Sequence, residues 1–155
     1  MTRLAVLVAL AAAFATPASW TDAPSLDRMS CDADAIVWGR VVSVALDEGE
    51  SGRVSRIVPI QVLKGRDDSG AFLEQSPAAL HGGHTRYRQG EEVIVFLKGS
   101  GTGGRYRTLG RAQGKLLVAD GVVTRVAMPV DAFLARLGQA LRACAVATEP
   151  RPPEA

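Results

Sequence analysis

The chain has 155 residues, of which 22% are charged, and a formal net charge of +2 that results from 18 Lys and Arg against 16 Asp and Glu. Because the two signs are interspersed along the chain, the charge gives no reason to expect binding to nucleic acid or to a membrane surface. The length is that of a single domain with one hydrophobic core.

The first residues have the composition of a secretory signal peptide. Arg3 supplies a positive charge and residues 4–15 are apolar without interruption, which is the pattern of a charged start followed by a short apolar region. The run is shorter than the roughly 20 apolar residues of a membrane-spanning helix. We therefore expect residues 1–18 to be a signal peptide, cleaved after Ala18 or alternatively after Ala15, and the protein to be exported to the periplasm or secreted. The competing interpretation is a buried N-terminal helix.

Three regions are expected after the leader: an N-terminal segment at residues 19–30, a folded domain at residues 31–147 and a tail at residues 148–155. Residues 25–31 are predicted to form a short helical turn, since Ser25 can accept hydrogen bonds from the amides of the next turn. The tail is polar and rich in proline, so we expect it to be disordered. No segment after the leader is apolar enough to cross a membrane.

Two long strands are predicted next. Residues 35–46 are mainly apolar and β-branched, and Gly39 is typical of a bulge or bend, so this one strand could serve two parts of a curled sheet. Residues 54–62 alternate between apolar and polar positions and are expected to pair with the first strand as a hairpin. Their apolar side carries Val54, Val58, Ile60 and Val62, with Arg56 as the exception. Pro59 cannot donate a ladder hydrogen bond, so we expect a free edge or a bulge there.

The remaining strands are short and are joined by turns. They are predicted at residues 71–75, 93–97, 105–109, 116–118 and 122–126. The last two flank Asp120-Gly121, which is a strong signal for a hairpin turn. From Val130 the apolar spacing changes to that of an amphipathic helix. Its apolar stripe consists of Val130, Phe133, Leu134, Leu137, Leu141 and Cys144. The order of elements predicts an all-β domain with a C-terminal helix.

The two cysteines are expected to form one disulfide. Exported proteins keep disulfides, and Cys31 and Cys144 make an even count. A bond between them would join the residue just before the first strand to the core-facing side of the last helix. The alternatives are two separately buried thiols or a catalytic thiol, which would need a neighbouring base and an electropositive setting.

Residues 31–42, with the sequence CDADAIVWGRVV, resemble the start of the netrin-like module found in tissue inhibitors of metalloproteinases. Looser matches continue at residues 62–65, 90–96 and 105–110 and in the C-terminal helix. Small exported bacterial proteins of unassigned function, with an Ala-Asp-Ala-Ile-Val opening and a Leu-Lys-Gly strand end, resemble the chain more closely. The resemblance implies an OB-like five-stranded curled barrel with flanking helices, and it places Cys31 and Cys144 at the positions of a disulfide of that family.

One departure from the family bears on function. The inhibitors chelate the zinc of a protease through a cysteine at the mature N-terminus, and this chain has no cysteine near Ser19. Inhibition by that route is therefore not implied. No functional residue of the family can be placed in this sequence.

His81 and His84 flank two glycines and are the only histidines of the chain. A metal site needs three or four ligands in a defined geometry, so a plain solvent loop is the favoured interpretation and adventitious binding of zinc or copper is the alternative. We expect neither a metal nor another cofactor.

The candidate binding surface consists of Arg86, Tyr87, Arg88, Arg105 and Arg107. On an OB-like barrel, basic and aromatic residues can bind nucleic acid, but export argues against that partner. The simpler alternative is strand alternation, with the arginines in solvent and the aromatic side chains packed inward. The remaining alternative is a patch that binds an anion or a protein.

No nucleophile elbow, phosphate-binding loop or catalytic triad spacing is apparent. We therefore expect a monomeric, non-catalytic binding or inhibitory module whose partner is a protein that the sequence does not identify. Two alternatives stay open: a metal-dependent enzyme or metal-binding protein that uses His81 and His84, and a structural component of the cell envelope.

Overall fold

A computed structural model describes residues 25–47, 52–66, 70–77, 85–99 and 104–148. The predicted signal peptide and the pair His81 and His84 lie outside these residues, as does the predicted tail apart from Thr148. None of the helices in the described part of the chain is long and apolar enough to span a bilayer.

In the described residues a short helix precedes the strands, two 3-10 helices interrupt the later strands, and a long helix comes last. Their bounds are α1 Leu26–Asp32, β1 Ala35–Asp47, β2 Gly52–Lys64, β3 Phe72–Pro77, β4 Glu92–Gly99, β5 Arg105–Thr108, β6 Lys115–Ala119, β7 Val122–Val123, β8 Met128–Pro129 and α2 Val130–Thr148. Short 3-10 helices lie at Arg111–Gly114 and Thr124–Val126. The predicted turn before the first strand is confirmed as α1, where the Ser25 hydroxyl accepts a hydrogen bond from the Arg28 amide at 3.2 Å.

Five strands close into a ring. β1 pairs antiparallel with both β2 and β4, β2 with β3, and β4 with β5, while the parallel pairing of β3 with β5 completes the circuit. This arrangement confirms the OB-like five-stranded curled barrel with a C-terminal helix. On one edge of β4, strand β5 pairs only with the last residues and strand β6 pairs with the first ones. Strands β7 and β8 then extend the sheet beyond β6.

Strand β1 closes the ring because it has partners on both edges. Residues 35–40 pair with β4, while residues 36–47 pair with β2 with register shifts that include one at Gly39. A Cβ at Gly39 would lie 2.6 Å from the carbonyl oxygen of Val58, so only glycine permits the close approach of the two backbones. The predicted bulge and the double role of this strand are both confirmed.

The hydrophobic core has two parts. An interior cluster fills the barrel and consists of Ala35, Val37, Val41, Ile57, Phe72, Tyr87, Val93, Val95 and Leu97. An outer cluster lies between the barrel and the helices and includes Met29, Ile36, Ile94, Phe96, Leu116, Phe133 and Leu137. Because β4 is covered on both faces, its central residues are all buried, which accounts for its continuous apolar run. Complete burial of one such side chain stabilises the fold by about 1.5–3 kcal/mol.

The side of β2 that faces the barrel is not the side that the alternating sequence suggested. Ser55 and Ile57 are buried, whereas Val58 and Ile60, on the side predicted to be apolar, are 36% and 50% exposed. A register shift places Ile60 in a bulge, after which Val62 packs against the interior cluster. Pro59 lies within this irregular stretch and also beyond β3, which pairs with β2 only along residues 52–57. The predicted free edge and bulge at Pro59 are therefore both present.

The hairpin turn at Asp120-Gly121 is confirmed, with both residues at positive φ between β6 and β7. The predicted strand 122–126 is too long, because the chain leaves the sheet after Val123 and forms a 3-10 helix. Ala127 at φ 49° then turns the backbone into β8. This detour directs the chain towards α2, whose Phe133 and Leu137 pack against the outer cluster.

Candidate binding surface

The disulfide between Cys31 and Cys144 is present, as predicted. It joins residues that are 113 positions apart, with their Cα atoms at 5.4 Å, and it links the end of α1 to the last turns of α2. A shallow cleft of about 470 Å³ beside it is lined by Cys31, Leu63, Lys64, Leu141, Cys144, Ala145 and Ala147. The Lys64 ammonium donates to the carbonyl oxygens of Ser30 and Cys31, so among the described residues that line this cleft the one titratable side chain is bound to the backbone.

The five residues of the predicted basic and aromatic surface lie on two different elements. Arg86, Tyr87 and Arg88 belong to residues 85–91, which lead into β4 and which we call the plug segment. Arg105 and Arg107 are on β5. The plug segment is attached to β1 by two backbone hydrogen bonds, from Gly90 to Val41 and from Val41 to Glu91.

Tyr87 is buried rather than exposed. Its ring is part of the interior cluster and is 6% exposed, its hydroxyl is 2.6 Å from the Thr108 Oγ1, and the Lys115 ammonium lies 4.8 Å from the ring centroid. Burial, aided by the negative charge of Glu74, raises the pKa of Tyr87 well above its usual value. This residue therefore packs inward, as the alternative based on strand alternation expects.

The four arginines of the predicted surface differ in exposure and pairing. Arg86, Arg88 and Arg107 are exposed, but Arg105 is half-buried and its guanidinium binds the Asp47 carboxylate. Arg107 lies directly opposite Lys98 in the β4 and β5 register. Lys98 is in turn 2.9 Å from Asp34, and this hydrogen bond together with the Gly99 amide lowers the pKa of the Asp34 carboxyl.

A second surface is formed by the outer side of the β1 and β2 hairpin. We call it the hairpin face and define it as Arg40, Val42, Arg56, Val58 and Ile60, all of which are exposed. Arg40 and Val58 are direct partners in the register. Arg56 and Val58 alternate with the buried Ser55 and Ile57, so the two exposed side chains point away from the barrel.

Irregular pairing contributes the other two aliphatic residues of the hairpin face. Val42 lies at the register shift between Val41 and Ser43, and Ile60 lies at the shift opposite Trp38 and Gly39. Their exposed fractions are 37% and 50%. Because an extra residue in a bulge leaves the regular alternation, both side chains reach solvent at these two positions.

The two charged side chains of the hairpin face, Arg40 and Arg56, are both positive and are not held in buried ion pairs among the described residues. Arg40 lies 3.4 Å from Glu92 with a side chain that is 60% exposed, and an exposed pair of this kind contributes little to stability. Glu92 also accepts a hydrogen bond from the Trp38 indole at 2.9 Å. Within the described residues, no acidic side chain pairs with Arg56.

The barrel interior contains a polar cluster that sequence reasoning missed. Glu74 is 1% exposed, and its Oε1 accepts hydrogen bonds from the Thr108 hydroxyl at 2.9 Å and the Thr108 amide at 3.4 Å. Its burial raises the pKa of the carboxyl above the usual value, although the bonds from Thr108 oppose that shift. The sequence signal was the alternation of β3, which places Glu74 on the same buried face as Phe72 and Ser76.

The metal hypothesis gains no ligands from the described residues. Among them there is no group of three or more His, Cys, Asp or Glu side chains that could hold an ion. His81 and His84 lie outside the described residues, so their involvement stays a prediction.

Comparison with known proteins does not assign the chain to a family. No protein-family model matches the sequence, and a search of curated proteins found no match.

Proposed function

We propose that the chain is an exported, non-catalytic binding module that docks a protein partner through the hairpin face. One observation carries this proposal. Of the six large aliphatic side chains that are exposed among the described residues, three belong to the hairpin face: Val42, Val58 and Ile60. Apolar residues that collect on one exposed patch are typical of interaction sites, whereas single ones are not.

The position of the helices supports this choice of face. Helices α1 and α2 pack against the outer cluster, on the side of the barrel formed by β4, β6 and the start of β1. The hairpin face is part of the remaining outer surface and has no helix over it among the described residues. A strand surface of an OB-like barrel is also a common location for ligand binding.

The chemistry of the hairpin face favours an acidic partner surface with an apolar centre. Aliphatic side chains in the middle would supply the buried area, and Arg40 and Arg56 would pair with carboxylates around it. Arginine is enriched at protein interfaces because its planar guanidinium binds carboxylates in a fixed geometry while its stem covers apolar surface. Complementary charge of this kind contributes mainly to specificity and to the rate of association.

The resemblance to the netrin-like module is consistent with a binding or inhibitory role. It does not indicate the zinc-chelating mode of the metalloproteinase inhibitors, since that mode needs a cysteine at the mature N-terminus. The leader-like first residues support export, which would also permit the disulfide to persist.

A matched pair of variants tests the proposal. Val58→Asp introduces a charge at the centre of the hairpin face, and Leu117→Asp introduces the same charge on β6 at a residue of similar exposure, 38% against 36%. Wild type and both variants, purified after export, are cross-linked in extract of the exported compartment, and the captured proteins are quantified by mass spectrometry.

We expect one set of proteins to be captured by wild type and by Leu117→Asp and to fall by about tenfold or more with Val58→Asp, a factor that corresponds to about 1.4 kcal/mol of binding free energy. Circular dichroism of the three proteins serves as the folding control. Equal capture by the two variants, or capture lost only with Leu117→Asp, would show that the hairpin face is not the binding site.

A further inference from the structure

A chain of two hydrogen bonds connects the buried carboxyl of Glu74 to the plug segment. The Thr108 hydroxyl donates to the Glu74 Oε1, so its oxygen accepts the proton of the Tyr87 hydroxyl, 2.6 Å away. Tyr87 is buried, as is Thr85, and it is the side chain of residues 85–91 that packs in the interior cluster. The three residues come from β3, β5 and the plug segment, so this chain joins parts of the molecule that are separated in sequence.

The other carboxyl oxygen of Glu74 lacks such support. Its Oε2 has no hydrogen-bond partner, and neither does the Oγ of Ser55, which lies directly opposite Glu74 in the β2 and β3 register. Protonation of Oε2 makes the carboxyl neutral and removes the buried charge, while Oε1 continues to accept from Thr108. An ionised carboxyl has only acceptors, so both of its oxygens need donors, and a buried charge without them is costly.

We propose that Glu74 is a pH-sensitive lock on the plug segment. When the carboxyl is neutral, the bonds from Glu74 through Thr108 to Tyr87 hold residues 85–91 in the barrel. When it is ionised, the cost of the buried charge favours conformations in which Tyr87 leaves and water reaches the carboxylate. Arg86 and Arg88, which flank Tyr87 and are exposed, then change position together with the segment. This device goes beyond the proposed binding function and does not depend on it.

The groups around Glu74 leave its carboxyl with a raised pKa in the folded protein. The side chains that face or act on it are Ser55 from β2, Ser76 from β3, Tyr106 and Thr108 from β5, Tyr87 from the plug segment and Lys115 from β6. Burial raises the pKa of Glu74, while the bonds from Thr108, the nearby Ser76 hydroxyl and the charge of Lys115 act in the opposite sense. Lys115 also binds Glu91 and the Arg86 carbonyl oxygen, so its positive charge is shared with two acceptors in the plug segment.

Hydrogen exchange of residues 85–91 tests the lock. Protection of their amides is measured by mass spectrometry at about pH 5 and about pH 8, after correction for the intrinsic pH dependence of exchange, in wild type, Glu74→Gln and Glu92→Gln. Gln cannot ionise, so Glu74→Gln removes the switch. Glu92→Gln is the matched control on β4, where the carboxylate is partly exposed and lies outside the barrel.

We expect protection in wild type and in Glu92→Gln to fall as the pH rises, by about tenfold for each unit by which the folded protein raises the pKa of Glu74. Protection in Glu74→Gln should be the same at both values. Protection that does not change with pH in wild type, or that changes equally in Glu74→Gln, would overturn the proposal.

A measurement on wild type alone covers the case in which Glu74→Gln does not fold. The ring resonances of Tyr87 are followed by NMR through the same pH range. We expect them to shift with a single midpoint that coincides with the loss of protection. Ring resonances that stay constant while the Glu74 carboxyl titrates would refute the connection between the two residues.

Discussion

Cys31 and Cys144 are bonded to each other although 113 positions separate them, and their Cα atoms are only 5.4 Å apart. Beyond Leu141 the last turns of α2 are otherwise mostly exposed. The disulfide therefore holds the C-terminal end of the helix against α1, while Phe133 and Leu137 hold its first half against the barrel.

Removal of this disulfide should cost much of the stability. We expect Cys31→Ser combined with Cys144→Ser to lower the free energy of unfolding by about 4–5 kcal/mol, because the bond closes a loop of more than a hundred residues in the unfolded chain. Urea denaturation followed by circular dichroism measures the change. Reduced wild type is the control and should match the double variant, and a loss below about 1 kcal/mol would contradict the prediction.

Gly39→Ala should destabilise the barrel at the point where β1 changes register. The added Cβ would lie 2.6 Å from the Val58 carbonyl oxygen and 2.9 Å from the Ile57 side chain, so the two backbones must separate. We expect a loss of about 2–3 kcal/mol, which is the upper part of the range for an overpacked core. Thermal unfolding measures it, and a melting temperature equal to that of wild type would mean that the strands tolerate a wider spacing.

Gly138→Ala should have the opposite effect. Gly138 lies within α2, and the nearest atom to an added Cβ is the flexible guanidinium of Arg142 at 3.6 Å. Alanine restricts the unfolded chain more than glycine does, so we expect a gain of about 0.5–1 kcal/mol. The same thermal unfolding experiment applies, with Gly39→Ala measured in parallel, and a decrease in stability would indicate an unfavourable contact within the helix.

The stability of the whole protein should fall as the pH rises through the range in which Glu74 ionises. The pKa of this carboxyl is raised in the folded protein from the usual 4.5, so the folded state keeps a proton that the unfolded state has lost. The stabilisation is complete below that value and is lost between it and the higher folded pKa. Urea denaturation at a series of pH values should give a decline for wild type and, for Glu74→Gln, a curve without this component.

The control for that experiment is Glu92→Gln, which should decline like wild type. If the two Gln variants behaved alike, the pH dependence would have to come from groups other than Glu74. This global measurement is separate from the exchange of residues 85–91, which tests whether the effect is transmitted to the plug segment.

Much of the fold follows from local sequence features. The bulge at Gly39, the turn at Asp120-Gly121 and the stripe of α2 were all predicted, because backbone conformation at glycine and the spacing of apolar residues act within a few positions. The disulfide was also predictable, since the chain offers one pair of cysteines and an expected compartment in which the bond persists.

The candidate sites depended on information that is not local. For Tyr87 the sequence left open an exposed binding surface or inward packing, and the structure shows that it fills the barrel. Which side of a segment is buried depends on the strands that enclose it. The sequence did not indicate Glu74, because a carboxylate is ordinarily a solvent-exposed residue, and only the closure of β3 against β5 removes it from water.

The hairpin face also depends on tertiary structure, and in this case the dependence is seen within a single strand. The alternation of β2 determined that one side would carry valine and isoleucine, but it did not determine which side would face the barrel. The pairing of β2 with β1 and β3 decided that, because Ser55 and Ile57 are enclosed and the bulge at Ile60 reverses the phase. The sequence by itself thus determined the elements and the covalent link, whereas the tertiary structure decided which side chains meet and which remain in water, since burial is a property of several strands together.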